Sequence, residues 1–207
     1  RFKFASDQEL DANVLGGLPD LYRQRISHVL FEDIISEVEL FTDCAPLFLR
    51  QLHSSFKSTL YMPDQQLVNI DEPSMHLQII SEGEVEMRDR AGCIVGMSGA
   101  TESFSAVSFL CKVGAPFAVR TRVVTRVLSL DFASWDNACS AFPENLHQVK
   151  MNLLHHCEKK ANEFVEGCAG YIIYRELASV VQQYLVHERE TGIALFVAAA
   201  ARGDLGE

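Results

Sequence analysis

Apolar residues recur at helical spacing through residues 7–40. Leu10, Val14 and Leu15 share one face. Pro19 stands at a helix start, where its missing N–H is no loss, and it follows Gly16-Gly17-Leu18. Beyond it Leu21, Ile26, Val29, Leu30, Ile34, Ile35 and Val38 form an apolar stripe, while Arg23, Arg25, Glu32, Asp33 and Glu37 form the polar face. A stripe this wide predicts a packing partner, either the following domain or a neighbouring subunit. Residues 46–56 repeat the pattern on a smaller scale, with Leu47, Phe48, Leu49 and Leu52 apolar.

The texture changes after Pro63-Asp64. Short strand-like runs follow at Leu67–Ile70, His76–Ile80, Val85–Met87, Cys93–Val95, Phe117–Val119 and Val123–Leu130. Turn residues separate them at Asp71-Glu72-Pro73, Glu82-Gly83, Ala91-Gly92 and Gly96–Gly99. Strands at about ten-residue spacing predict a small barrel or sandwich. Helix returns at Phe132–Ala141 and, after Pro143, over Glu144–Phe164. Gly167–Gly170 reads as a break. Tyr171–Val186 mixes β-branched and polar residues and fits either a strand pair or a helix, and Leu195–Leu205 is Ala-rich and helical. The fold class is therefore α+β, a β-roll or barrel flanked by helices.

Composition narrows the functions. A 48% hydrophobic fraction over 207 residues supplies a real core. The net charge of −10 argues against nucleic acid, whose binding begins with cations on phosphates, and against a general attraction to anionic lipid. No uncharged stretch approaches the roughly twenty apolar residues that a membrane-crossing helix needs. The opening Arg1-Phe2-Lys3-Phe4 carries no initiator Met and no signal-like apolar segment, and reads as the interior of a longer chain. Cys44, Cys93, Cys111, Cys139, Cys157 and Cys168 are scattered without a C-x-x-C pair, which suits reduced core cysteines. His155-His156-Cys157 lacks a second ligand pair at metal spacing, so no metal is expected.

Local words add a resemblance. Leu77-Gln78-Ile79-Ile80-Ser81-Glu82-Gly83-Glu84-Val85 resembles a hairpin of cyclic-nucleotide-binding domains. Pro63-Asp64 before Leu67-Val68 is similar to that family's first strand pair, with Asp64 where glycine is usual. Leu18-Pro19 through Phe31, then Val38-Glu39-Leu40-Phe41, resembles the end of the C-linker of plant Shaker-type potassium channels. Cys111–Arg120, with Pro116-Phe117-Ala118-Val119-Arg120, is similar to a barrel strand of the same channels. Ala199-Ala200-Ala201-Arg202-Gly203-Asp204-Leu205 resembles the opening of an ankyrin repeat, as in the outward-rectifying branch. The resemblance implies a distal C-linker at residues 1–41, a cyclic-nucleotide-binding-homology domain at 42–165, a connector at 166–190 and the start of an ankyrin-like repeat at 191–207.

The same resemblance locates a site and exposes its losses. Nucleotide-binding members carry Phe-Gly-Glu before a short helix and Pro-Arg after it. The glycine lets the backbone approach the cyclic phosphate, the glutamate accepts from the ribose, and the arginine forks onto the phosphate. Here Phe104 is kept, Ser105 replaces the glycine, Ala106 replaces the glutamate, and Ala115 precedes Pro116 and Phe117 at the arginine position. Each lost charged hydrogen bond is worth about 1.5–3 kcal/mol. Two such losses imply an affinity weaker by a factor on the order of 10² to 10⁴. Arg120 and Arg122 share one strand face and are the candidate substitutes for the missing cation. A segment of the chain itself is an alternative occupant, though no candidate stands out.

What the resemblance implies is a cytosolic gating and tetramer-assembly module of a voltage-gated potassium channel, without cofactor. Cyclic AMP or cyclic GMP would enter only if the degenerate pocket still binds. Partners would be like subunits in a homo- or heterotetramer and the pore and voltage-sensor region of the parent chain. The location would be the cytosolic face of the plasma membrane. Ile26, Val29, Leu30 and Ile34 are the expected subunit interface. A stand-alone cyclic-nucleotide-responsive regulator is the alternative. No catalytic residues are expected, since no G-x-S-x-G elbow, P-loop or H-E-x-x-H word occurs.

Overall fold

The computed structural model describes residue 29 and residues 31–202, with side chains as far as residue 187. A helical segment over residues 31–36 leads through a 3-10 turn at Glu39–Phe41 to helix α1, Pro46–His53. Pro46 opens α1 at a position where no N–H is needed, and Phe48 and Leu52 turn inward. Seven strands follow: β1 Lys57–Tyr61, β2 Gln66–Val68, β3 His76–Glu82, β4 Val85–Arg88, β5 Ile94–Ser98, β6 Ala118–Thr121 and β7 Thr125–Asp131. The short helix α2, Ala106–Cys111, lies between β5 and β6. Helices α3 (Phe132–Ala141), α4 (Pro143–Asn162) and α5 (Ala169–Arg202) close the order.

The strands pair antiparallel in two sheets, β1-β7-β3 and β2-β6-β4-β5. Central strand β7 buries Val127, Leu128 and Leu130, and β3 buries Leu77, Ile79 and Ile80. An aromatic cluster welds the helices to this core: Trp135 of α3 meets Phe48 of α1 at 6.0 Å and Phe109 of α2 at 6.1 Å, both edge to face. Asp131 ends β7 and caps α3 by accepting from the Ser134 N–H at 2.8 Å. That bond and nearby Lys57 hold the Asp131 carboxyl below the usual range. The result is a mixed fold of helix and antiparallel sheet with a β-rich core flanked by helices.

Several local expectations are corrected. Lys57–Tyr61, to which the sequence assigns no element, forms β1, whose side chains are mostly exposed. An edge strand of this kind has no apolar alternation to announce it. Gly96–Gly99 was read as a turn, yet Gly96 lies inside β5. A Cβ on Gly96 would stand 2.9 Å from Met87 Cε, so the glycine serves close packing rather than a bend. Tyr171–Val186, left open between strands and helix, is helical and belongs to α5. Its buried Tyr174, Leu177, Ala178 and Val181 recur at three, four and seven positions, one helix face. Asp64, in place of the usual glycine, takes φ +64°, a left-handed conformation that aspartate tolerates. Its N–H donates to Thr121 O at 2.9 Å.

Ile26, Leu30, the Pro19 helix start and the Gly203-Asp204 word lie outside the described residues. Val29 is 71% exposed and Ile34 half-buried. Helix α5, Ala169–Arg202, runs from within the segment read as connector into the segment read as repeat opening.

Candidate functional site

The loop after β5 enters α2 through Ser103, Phe104 and Ser105. Every residue of α2 is buried. Ser105, the residue where glycine was expected, is fully engaged. Its Oγ accepts from the Gln78 N–H at 2.8 Å and donates to His76 O at 3.1 Å, which staples the entry of α2 to β3. Ser108 does the same at the other end, accepting from Ser74 N–H at 2.8 Å and donating to Val113 O at 2.6 Å. Two hydroxyls in an otherwise apolar helix are thus used to position it.

Phe104, Ser105, Ala106, Ala115, Pro116 and Phe117 come together around one cavity. Helix α4 adds Leu153, His156 and Cys157 to its wall, and α5 adds Tyr174 and Leu177. The open volume is about 30 Å³. Ligand pockets run to about 300–1,000 Å³, and a space this small holds about one water. Its lining contains no Lys, Arg, Asp or Glu among the described residues. The Tyr174 ring stacks on Phe164 at 5.8 Å and 18°, and lies 6.4 Å from Phe117. Its hydroxyl donates weakly to Met87 Sδ at 3.5 Å. Burial pushes that phenol well above its ordinary pKa and the Cys157 thiol up to about 12, so both stay neutral and unreactive.

Arg120 and Arg122 are not among the residues lining this cavity. Val119 and Thr121 are fully buried, so alternation along β6 turns Arg120 outward. It stands across from Glu86 in the ladder and 3.9 Å from Asp64. Arg122, just past the strand, reaches Glu84 at 3.4 Å. These cations belong to a charged lattice on the outer sheet face.

A second set of contacts ties the segment before the barrel to α4. The Ala45 N–H donates to Asn145 Oδ1 at 2.7 Å, and Asn152 Nδ2 donates to Leu40 O at 3.1 Å and Thr42 O at 2.7 Å. Glu39 pairs with Lys159, and a ring nitrogen of His156 lies 3.0 Å from Glu39 Oε2. These partners hold the Glu39 carboxyl down at about 2. Asn145, Asn152, His156 and Lys159 fall at intervals of seven, four and three, one stripe of α4. A larger cavity of about 300 Å³ lies at this seam, between residues 37–40, the loop Ala100–Ser103 and α4. Lys160 there is paired with Glu102 at 2.6 Å and Glu163 at 3.3 Å.

Sequence reasoning missed Tyr174, Leu177 and the α4 stripe. The helical spacing of Tyr174, Leu177, Ala178 and Val181 was the available signal, and His156 was weighed only as a metal ligand. Among the described residues no cluster of metal-ligating side chains occurs and no helix is long and apolar enough to cross a membrane.

A helix, an antiparallel roll with a short buried helix before its last strands, and closing helices define a cyclic-nucleotide-binding-type domain. The homologues of this chain are plant Shaker-type potassium channels. The potassium channel GORK of Arabidopsis thaliana is 24% identical over 94% of the chain and 23% of its own length. The potassium channel KAT2 of the same plant is 27% identical over 92% of the chain and 27% of its own length. The potassium channel KOR1 of Oryza sativa subsp. japonica is 26% identical over 69% of the chain. The chain thus spans about a quarter of the length of GORK and KAT2 and 17% of KOR1. No protein-family model matches it.

Proposed function

We propose that the chain is the cytosolic gating and assembly module of a plant voltage-gated potassium channel, built on a nucleotide-binding fold whose pocket has lost its ligand chemistry. Residues 1–41 act as the distal linker to the pore and voltage sensor, and residues 42–165 as the homology domain. Residues 166–190 lead toward a regulatory tail beginning near 191. Four such modules, from like or related subunits, assemble beneath the plasma membrane. The homology to plant potassium channels supports the setting.

One observation carries the loss of ligand binding: the cavity at Phe104–Ala106 and Ala115–Phe117 is small, has no Lys, Arg, Asp or Glu in its lining among the described residues, and is walled in part by the chain's own helices. A cyclic phosphate there would lose its water and find only the His156 ring, already 3.0 Å from Glu39, as a cation-capable partner. The α4 stripe supplies the coupling, because a pull on residues 39–45 is passed to α4 through charged and amide contacts. Calorimetric titration with cyclic AMP and cyclic GMP to millimolar concentration is the test. No heat and no thermal shift are expected, whereas micromolar binding would restore the stand-alone sensor reading. For the assembly role, Val29→Asp in the full-length parent is expected to weaken tetramer formation, because Val29 is 71% exposed and belongs to the expected subunit interface. Normal assembly of that variant would remove the interface.

A further inference from the structure

We infer that β1 is a self-association edge: the β1 strands of two copies of this chain pair antiparallel and join their β1-β7-β3 sheets into one. The contact is separate from the linker stripe and does not rest on the reading of the pocket.

Two sheets present four edges, and the chain itself covers or blunts three of them. Along β3, the Ile80 N–H donates to Glu102 O at 3.0 Å, and the Thr101 N–H donates to Ile80 O at 2.8 Å. Ser105 Oγ extends that cover to Gln78 and His76. At β5, α5 rests on the strand, since a Cβ on Gly170 would stand 2.8 Å from Val95 O. Strand β2 is three residues long, its register with β6 shifts, and the Gln66 side chain donates to Val68 O at 3.0 Å. The fourth edge is β1. It pairs in unbroken register with β7 along Lys57–Tyr61. Antiparallel pairing turns half of a strand's N–H and C=O groups toward its partner and the rest away. Among the described residues nothing takes the outward groups of β1. An open row of this kind is a template for another strand.

The sequence of this edge selects a second β1 as the occupant. Proteins blunt an open edge with proline, a bulge or charges. Lys-Ser-Thr-Leu-Tyr holds no proline and no bulge, and its one charge, Lys57, stands at the first position 3.7 Å from Asp131. The chain carries a net charge of −10, which keeps copies apart, yet β1 contains no acidic residue. Laid antiparallel about a two-fold axis at Thr59, the strand complements itself. Lys57 falls opposite Tyr61 of the second copy, a cation beside an aromatic ring. Ser58 falls opposite Leu60 of the second copy, small beside large, and Leu60 is 39% exposed in the single chain. Thr59 meets its own counterpart, a pairing that suits a strand face, and no like charges meet.

Sedimentation of the 207-residue chain over a range of concentrations tests this. A reversible monomer–dimer equilibrium is expected. Amide hydrogen exchange of β1 should slow as the dimer fills, with β7 unchanged. Thr59→Lys and Thr59→Glu each set like charges on the axis, and each should raise the dimer Kd by about tenfold or more. An equimolar mixture of the two should restore the dimer, which misfolding of either variant cannot mimic. If either fails to fold, Tyr61→Lys, which faces Lys57 of the second copy, carries the same comparison. Val29→Asp should leave this dimer intact and so separates β1 from the linker stripe. A monomer at every concentration overturns the inference. So does a dimer that ignores Thr59→Lys, a mixture that stays monomeric, or a dimer that Val29→Asp dissolves.

Discussion

Two seams hold the helices to the barrel, and they are built from opposite materials. The pocket seam, between α5 and the walls at Phe104 and Phe117, is mostly aromatic and aliphatic, has no Lys, Arg, Asp or Glu in its lining among the described residues, and shares His156 with the other seam. The linker seam, between residues 39–45 and α4, is made of amides, a carboxylate and cations. Apolar contact is non-directional and is not weakened by ionic screening, and it fills space. Hydrogen bonds and ion pairs are directional, and they fix one position of one segment against another. A contact that fills space and a contact that fixes position call for these two different chemistries.

The contrast breaks most visibly at the pocket seam. Leu177→Ala is expected to cost about 2–4 kcal/mol, from lost burial plus the cavity left behind. Denaturant midpoints should fall by the same amount at low and at high salt. A cost that shrinks sharply at high salt would mean that charge rather than burial holds α5.

At the linker seam the expected losses are smaller and of another kind. Asn152→Ala removes both donors to Leu40 O and Thr42 O, and should cost about 1–2 kcal/mol. Because the β core is untouched, residues 39–45 should gain exchange while β7 keeps its protection. Equal acceleration everywhere would mean that the segment is part of the core rather than a joint.

The difference between the seams also explains what the sequence could reveal. The helix–roll–helix order was legible, because β3, β7 and α4 carry their apolar residues at the period of their own structure. That Ser105, Ala106 and Ala115 carry no charge was legible too, since a side chain's charge is visible in one dimension. What packs beside them was not. Tyr174 lies far along the chain from Phe104, and β-branched Ile172, Ile173, Val180 and Val181 blurred the helix that brings it back. The role of Ser105 was hidden as well, because its partners at His76 and Gln78 are set by tertiary packing. Arg120 and Arg122 were judged by their shared strand face alone. The burial of Val119 and Thr121 decides that Arg120 points away from the cavity.

The smallest expected effect sharpens the comparison through pH. Glu39 falls from 4.5 to about 2 on folding, chiefly because Lys159 and then His156 contact its charged form. A depressed carboxyl contributes stability that is fully present above the unfolded value and is lost as pH falls through the folded one. The linker seam should therefore loosen between about pH 4.5 and 2. Half of the Glu39 side chain is exposed, so water and salt screen the pair and the contribution is below about 1 kcal/mol. Glu39→Gln should remove this pH-dependent part, differ less from the native chain as salt is added, and leave the exchange of α5 unchanged. If instead Glu39→Gln also freed Tyr174 and its neighbours, the two seams would be one cooperative surface, and a pull on the linker would open the pocket directly.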